Sequence, residues 1–116
     1  MLIDVRAFGL TLSASLRRYM ETRLQAALRP CTGAVTRVIA RLTDINATHG
    51  GVDKRCSLIA VLRHEGPVAV HGLDSDAYAS IDHAATRMRR AVLRTLTRHA
   101  RRERQRHARL RDRFEQ

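Results

Sequence analysis

Lysine is almost missing from this chain. Of its 22 basic residues only Lys54 is one; the other 21 are arginines. Tryptophan is absent, and Phe8, Tyr19, Tyr78 and Phe114 are the only aromatics. The core must therefore be built from Leu, Val, Ile, Ala and Met, and the case for a row of aromatic platforms that stack a single strand is weak. The two cysteines, Cys31 and Cys56, form no CxxC and have no second pair. That is neither a disulfide framework nor a zinc site. Both are read as reduced thiols, with Cys56 buried and inert among apolar strand residues and Cys31 in a loop, open to oxidation. Met1 leads straight into "LIDVRAF" with no charged leader and no long apolar run, so neither a signal peptide nor a membrane span is expected. The expected setting is cytoplasmic, and the sequon Asn46-Ala47-Thr48 then has no use. The six histidines make no HExxH and no i, i+4 pair, and nothing in the sequence fixes two of them near each other. A binding protein is predicted, not an enzyme, with no metal, no cofactor and no small-molecule substrate.

What is present is apolar patterning and positive charge. Hydrophobic residues make up 44% of 116 residues, enough for one core and against wholesale disorder. Residues 2–7 alternate, with Ile3, Val5 and Ala7 on one face and Asp4 and Arg6 on the other, the period of a strand. Ser13 suits a helix N-cap, and Leu16, Met20, Leu24 and Leu28 then recur every four residues until Pro30 ends the helix. "CTGA" reads as a loop. Val38, Ala40 and Leu42 share one face of a strand over 35–45; Cys56, Leu58, Ala60 and Leu62 do so over 54–64. Between them "NATHGGVD" reads as a hairpin tip, with Gly50-Gly51 supplying positive φ. A fourth short strand spans 68–73. "DSD" caps a final helix whose stripe runs Tyr78, Ile81, Ala85, Met88, Val92, Leu96. The class is α+β in the order β-α-β-β-β-α. Strands one and two should be parallel, strands two to four antiparallel, and both helices should cover one face of a four-stranded sheet. Ile3, Val5, Leu16, Met20, Leu24, Leu58, Ile81, Met88 and Val92 are expected in the core.

The net charge is +11, and it is uneven: residues 76–116 hold twelve arginines against five acids, a net of +7. Such an excess at one end is the footprint of a polyanion partner. Residues 98–113 carry eight arginines and two acids with no apolar stripe, which predicts a solvated extension or tail. Arg87, Arg90 and Arg94 lie off the stripe of the final helix, with Arg98, Arg101 and Arg102 beyond them; Arg17, Arg18 and Arg23 decorate the first helix. No helix-turn-helix pair, zinc finger or zipper is found, which disfavours a sequence-specific duplex reader. Recognition of backbone and shape in folded RNA remains.

Three stretches carry a resemblance. Ile3 and Val5, then "SASLRRYMETRL" (13–24), then "DAYASID" (76–82) resemble the ribosome hibernation-promoting factor family, which includes the ribosome-associated translation inhibitor and is also called the sigma-54 modulation protein family. The Asp76, Tyr78, Ala79, Ile81, Asp82 box is the most specific part, and basic family positions fall on Arg87, Arg90 and Arg94. The resemblance covers residues 1–96 and implies a fold related to double-stranded RNA-binding domains. It further implies a short-form member that binds the small ribosomal subunit and its rRNA near the decoding centre, blocking mRNA and tRNA under stress or in stationary phase. Residues 1–97 would be the ribosome-binding domain and 98–116 its arginine-rich extension. The alternative is a general RNA- or nucleoid-binding protein unrelated to ribosomes.

Overall fold

The computed structural model describes residues 1–45 and 52–115. The sequon, His49 and the Gly50-Gly51 turn lie outside the described residues. The elements are β1 (Leu2–Phe8), α1 (Ala14–Ala27), a 3-10 segment (Arg29–Ala34), β2 (Val35–Asp44), β3 (Lys54–Leu62), β4 (Val68–Asp74) and α2 (Ala77–Glu115). They form one sheet in the order β1-β2-β3-β4, with β1 and β2 parallel and the other two pairs antiparallel. The expected α+β architecture is the one observed.

Local chemistry sets the ends of these elements. The Ser13 hydroxyl accepts a hydrogen bond from the Leu16 amide at 3.1 Å, satisfying a donor that the first turn of α1 leaves free. The helical pattern of α1 stops at Ala27, and Pro30 sits in the first turn of the 3-10 segment that follows. "CTGA" is thus the end of a tight helical turn, not an open loop. Within it Cys31 is 6% exposed, its thiol 3.5 Å from the Leu28 carbonyl oxygen. Burial pushes that thiol's pKa up, so the expectation of an oxidisable loop cysteine is corrected. Cys56 is fully buried, as expected, and desolvation raises its pKa to about 12. The single lysine is structural. Lys54 Nζ lies 3.0 Å from Asp53 Oδ1 and 3.2 Å from Asp44 Oδ2, closing the base of the β2–β3 hairpin.

The core is one cluster between the sheet and both helices. Val5, Val38, Ala40, Leu42, Cys56, Leu58 and Ala60 face Leu16, Met20 and Leu24 of α1 and Ile81, Met88 and Val92 of α2. Cys56 Sγ lies 4.0 Å from Met20 Sδ, which places α1 over the middle of the sheet. Ile3 is only partly buried, because β1 is an edge strand. At the other edge, Gly72 lets α2 approach β4 closely. A Cβ there would lie 2.5 Å from the Ser80 carbonyl oxygen and 2.6 Å from the Ala84 amide nitrogen. Both obstacles are backbone, so neither can rotate away. Gly72→Ala is expected to cost about 3 kcal/mol, the upper end for overpacking, and to lower the melting temperature by at least ~10 °C. An unchanged thermal unfolding curve would show that α2 does not bear on β4 at this point.

α2 is a single helix of 39 residues, about 58 Å at the usual rise, in a molecule 69 Å long. Leu96, the last residue of the apolar stripe, is partly buried. Beyond it the chain does not fray into a tail: it stays helical to Glu115. The early part of this extension is also tied down. His99 Nδ1 lies 2.7 Å from Glu65 Oε1, and Arg102 Nη2 lies 3.6 Å from the same oxygen, on the β3–β4 turn.

Candidate nucleic-acid interface

The stripe that buries α2 also determines where its charge goes. Met88 and Val92 face the sheet, so residues near the opposite side of the wheel face solvent. Arg87, Arg90, Arg94, Arg98 and Arg101, at steps of 3, 4, 4 and 3, form that outward row and are all exposed. It spans about 21 Å along the axis. Residues 83–102 contain seven arginines and no acid. Several of the acids elsewhere are committed to neighbours: Asp4 to Arg6 and Arg37, Asp74 to His83, Asp82 to Arg23, Glu103 to Arg106. The Asp76 amide and the His83 ring together hold the Asp74 carboxyl below the ordinary range. Positive charge is therefore left unneutralised along the outer side of α2.

The nine arginines singled out in the sequence do not all stand alike. Arg17 and Arg18 on α1 and Arg90, Arg94, Arg98 and Arg101 on α2 are exposed, and no hydrogen bond or ion pair with another described residue engages their guanidinium groups. Arg87 is half committed, since its Nη1 donates to the His71 carbonyl oxygen of β4 at 2.7 Å. Arg102 leans on Glu65. Arg23 is a clamp between the helices: its Nε lies 3.3 Å from Asp82 Oδ1 and its Nη2 donates to Thr86 Oγ1 at 3.2 Å.

Asp82 explains much of the "DAYASID" box. It accepts from the Tyr19 hydroxyl at 2.6 Å as well as from Arg23. Tyr78 meets the Tyr19 ring edge to face, with centroids 5.0 Å apart. Asp76 accepts from the Tyr78 amide at 2.9 Å, capping α2, and Ile81 is fully buried. The box therefore locks α2 against α1 and sets the separation of their arginines. Beside it a shallow cleft of about 300 Å³ is lined by Ser15, Arg18, Tyr19, Thr22 and Tyr78. The hydrogen bond to the Asp82 carboxylate, with desolvation behind it, raises the Tyr19 pKa above the ordinary phenol value. The fold thus favours neutral Tyr19. This contribution to stability is complete below pH ~10, the unfolded pKa, and is lost as pH rises through the higher folded pKa. Asp82→Asn should bring the Tyr19 titration back toward lower pH, read by ultraviolet difference absorbance. A titration that does not move would mean the bond does not hold the phenol proton.

Sequence reasoning missed one constellation. His64 and His99 lie with ring centroids 6.4 Å apart and planes within 12°, so two histidines are in fact brought together, next to Glu65. They are 35 positions apart in the sequence, and no spacing rule could have found them. Among the described residues no group of three or more His, Cys, Asp or Glu is placed to hold a metal ion.

The fold is shared with known proteins. The crystal structure of the Thermus thermophilus Protein Y N-terminal domain superposes with a TM-score of 0.68 at 25% identity, covering 82% of this chain and 99% of that one. A ribosomal subunit interface protein from Coxiella burnetii has the same fold, with a TM-score of 0.73 at 15% identity, covering 84% of this chain and 99% of that one. No curated protein matches the chain. Residues 3–100 match the family described as "Sigma 54 modulation protein / S30EA ribosomal protein", a span that takes in all of the sheet but Leu2, α1, the inter-helix lock and most of the outward arginine row, and the chain belongs to that family.

Proposed function

We propose that this protein is a ribosome hibernation factor. It binds rRNA of the small ribosomal subunit near the decoding centre, occupies mRNA and tRNA sites and so inhibits translation in stationary phase or under stress. The observation that carries this reading is the outward arginine row on α2, anchored to the core through Met88 and Val92 of the same helix. Family membership supports the ribosome as partner. A fixed row suits one folded RNA, because its guanidinium groups meet phosphates at set intervals without first losing conformational freedom. The site binds and occludes; it is not read as an enzyme, and it needs no cofactor. Among the described residues no helix is long and apolar enough to cross a membrane, and the cytoplasm is the proposed setting.

The test is sedimentation of a lysate and of purified subunits with the protein. Co-migration with small subunits and whole ribosomes is the expected result. Spread over bulk nucleic acid would favour a general RNA- or nucleoid-binding protein, the reading to which the exposed arginines of 103–113 lend some support.

The division at residue 97 gives a further expectation. Deleting residues 98–116 removes the His99 and Arg102 bonds to Glu65 but no fully buried side chain. The melting temperature should fall by only a few degrees, since these ion pairs are partly exposed and worth about 1 kcal/mol at most. Ribosome affinity should fall more, with the salt slope reduced by about one unit for each phosphate no longer neutralised. A truncated chain that no longer folds would make the extension part of the domain.

A further inference from the structure

The helices cover one face of the sheet and leave the other open. We propose that this open face is a second RNA-binding surface, taking a single-stranded segment with its phosphates on Arg6, Arg37, Arg41 and Arg55 and its bases over Ile39 and Ile59. The inference rests on the ribosome-binding reading for the source of that RNA and adds a second wall to the site.

Strand alternation places all six residues on the open face. Ile39 pairs directly with Ile59 across β2 and β3, and Ile59 is 38% exposed. Small neighbours leave shallow hollows beside this apolar pair. One of about 250 Å³ adjoins Ser57, Ala69 and His71; another of about 190 Å³ adjoins Asp4, Arg6, Arg37 and Arg41. The flat π-face of an unpaired base suits such hollows, and unpaired RNA also stacks on guanidinium planes.

The charge on this face calls for an anion. Arg6 stands directly opposite Arg41 in the β1–β2 register. Like charges so placed on neighbouring strands destabilise a sheet, and an anion between them removes that penalty. Arg41 is also held in place, with Cζ 5.0 Å from the Phe8 ring centroid. Asp4 is the one carboxylate that alternation puts on this face, and it already serves Arg37 at 3.4 Å and Arg6 at 3.9 Å. Four arginines against one acid repel a second copy of the same face. With α2 basic on the other side, the domain has phosphate-binding groups front and back, like a wedge between two RNA walls.

A hydroxyl-radical probe tethered to Ile59→Cys and, separately, to Gln25→Cys on the helix side tests this on purified ribosomes. Cys31 and Cys56 are buried and stay unlabelled. Cleavage of different rRNA segments from the two positions is the expected result. Binding abolished by labelling at 59 but kept at 25 also supports an occluded sheet face. Cleavage from 25 alone, with the 59-labelled protein still bound, overturns the inference, as does cross-linking of this face to a ribosomal protein. Cleavage from neither position, with no binding, overturns the ribosome reading and this inference with it. In parallel, Arg6→Ala with Arg41→Ala should weaken ribosome binding about tenfold and lower the salt slope by about 1.4, the value for two contacts to a single strand. Unchanged affinity and slope would exclude phosphate contact by this pair.

Discussion

Replacing Arg87, Arg90 and Arg94 together by alanine is expected to abolish inhibition of translation while leaving the protein folded. Each side chain is exposed on α2, so its removal opens no cavity in the core. Arg87 alone has a structural bond to lose, to the His71 carbonyl. A single Arg87→Ala control should show a small fall in melting temperature, about 1 kcal/mol for one net hydrogen bond. Three exposed charge-assisted contacts at about 1 kcal/mol each amount to roughly a hundredfold in affinity, and the salt slope should fall by about three units. The measurement is in vitro translation titrated with parent and variant in the presence of excess unrelated RNA. Replacing Arg104, Arg106 and Arg109 instead should weaken ribosome and bulk-RNA binding alike, because those residues lie on the projecting end of the helix. If the triple variant inhibits as well as the parent, the outer side of α2 is not the reading surface.

The second large effect concerns the anchor of that row. Met88 is fully buried one residue after Arg87 and two before Arg90. Met88→Asp would place a carboxylate among apolar side chains, with no buried cation among the described residues to pair with it. An unpaired buried charge costs several kcal/mol, and small domains have only about 5–15 kcal/mol in total. The variant should lack a cooperative thermal transition by circular dichroism. Met88→Leu, close in volume and apolar, should fold with a loss under ~1.5 kcal/mol and should keep ribosome binding. A normal transition in Met88→Asp would show that α2 is not packed as described, and the fixed spacing of the arginines would go with it.

Much of this molecule was legible in one dimension because its elements are marked by short-range rules. Period-two alternation located four strands, four-residue steps located two helices, and Ser13 and the acids at 74–76 marked helix starts. These signals depend on residues within a turn or a pleat of each other. The burial of Val5, Leu16, Met20, Leu24, Leu58, Ile81, Met88 and Val92 followed from the same periodicities. Uneven charge pointed to a polyanion before any fold was in view, since net charge is a sum over residues and needs no geometry.

Tertiary structure decided what periodicity does not encode. Arg23 reads like any other helix arginine until Asp82, 59 positions away, turns it into a clamp. Tyr19 and Asp82 meet across 63 positions and convert a family box into the lock between two helices. His99 finds Glu65 across 34 positions, which keeps the start of the arginine extension on the domain. Cys31 is closed off because the turn after α1 packs inward. Gly72 looked like an ordinary strand residue, yet the approach of α2 requires it. The sequence alone therefore determined the elements, their apolar faces and the sign of the partner's charge, all set by local backbone geometry and by composition. Which arginines are left free to meet that partner was decided only when the packing of two helices on one sheet brought distant acids and carbonyls within reach of the others.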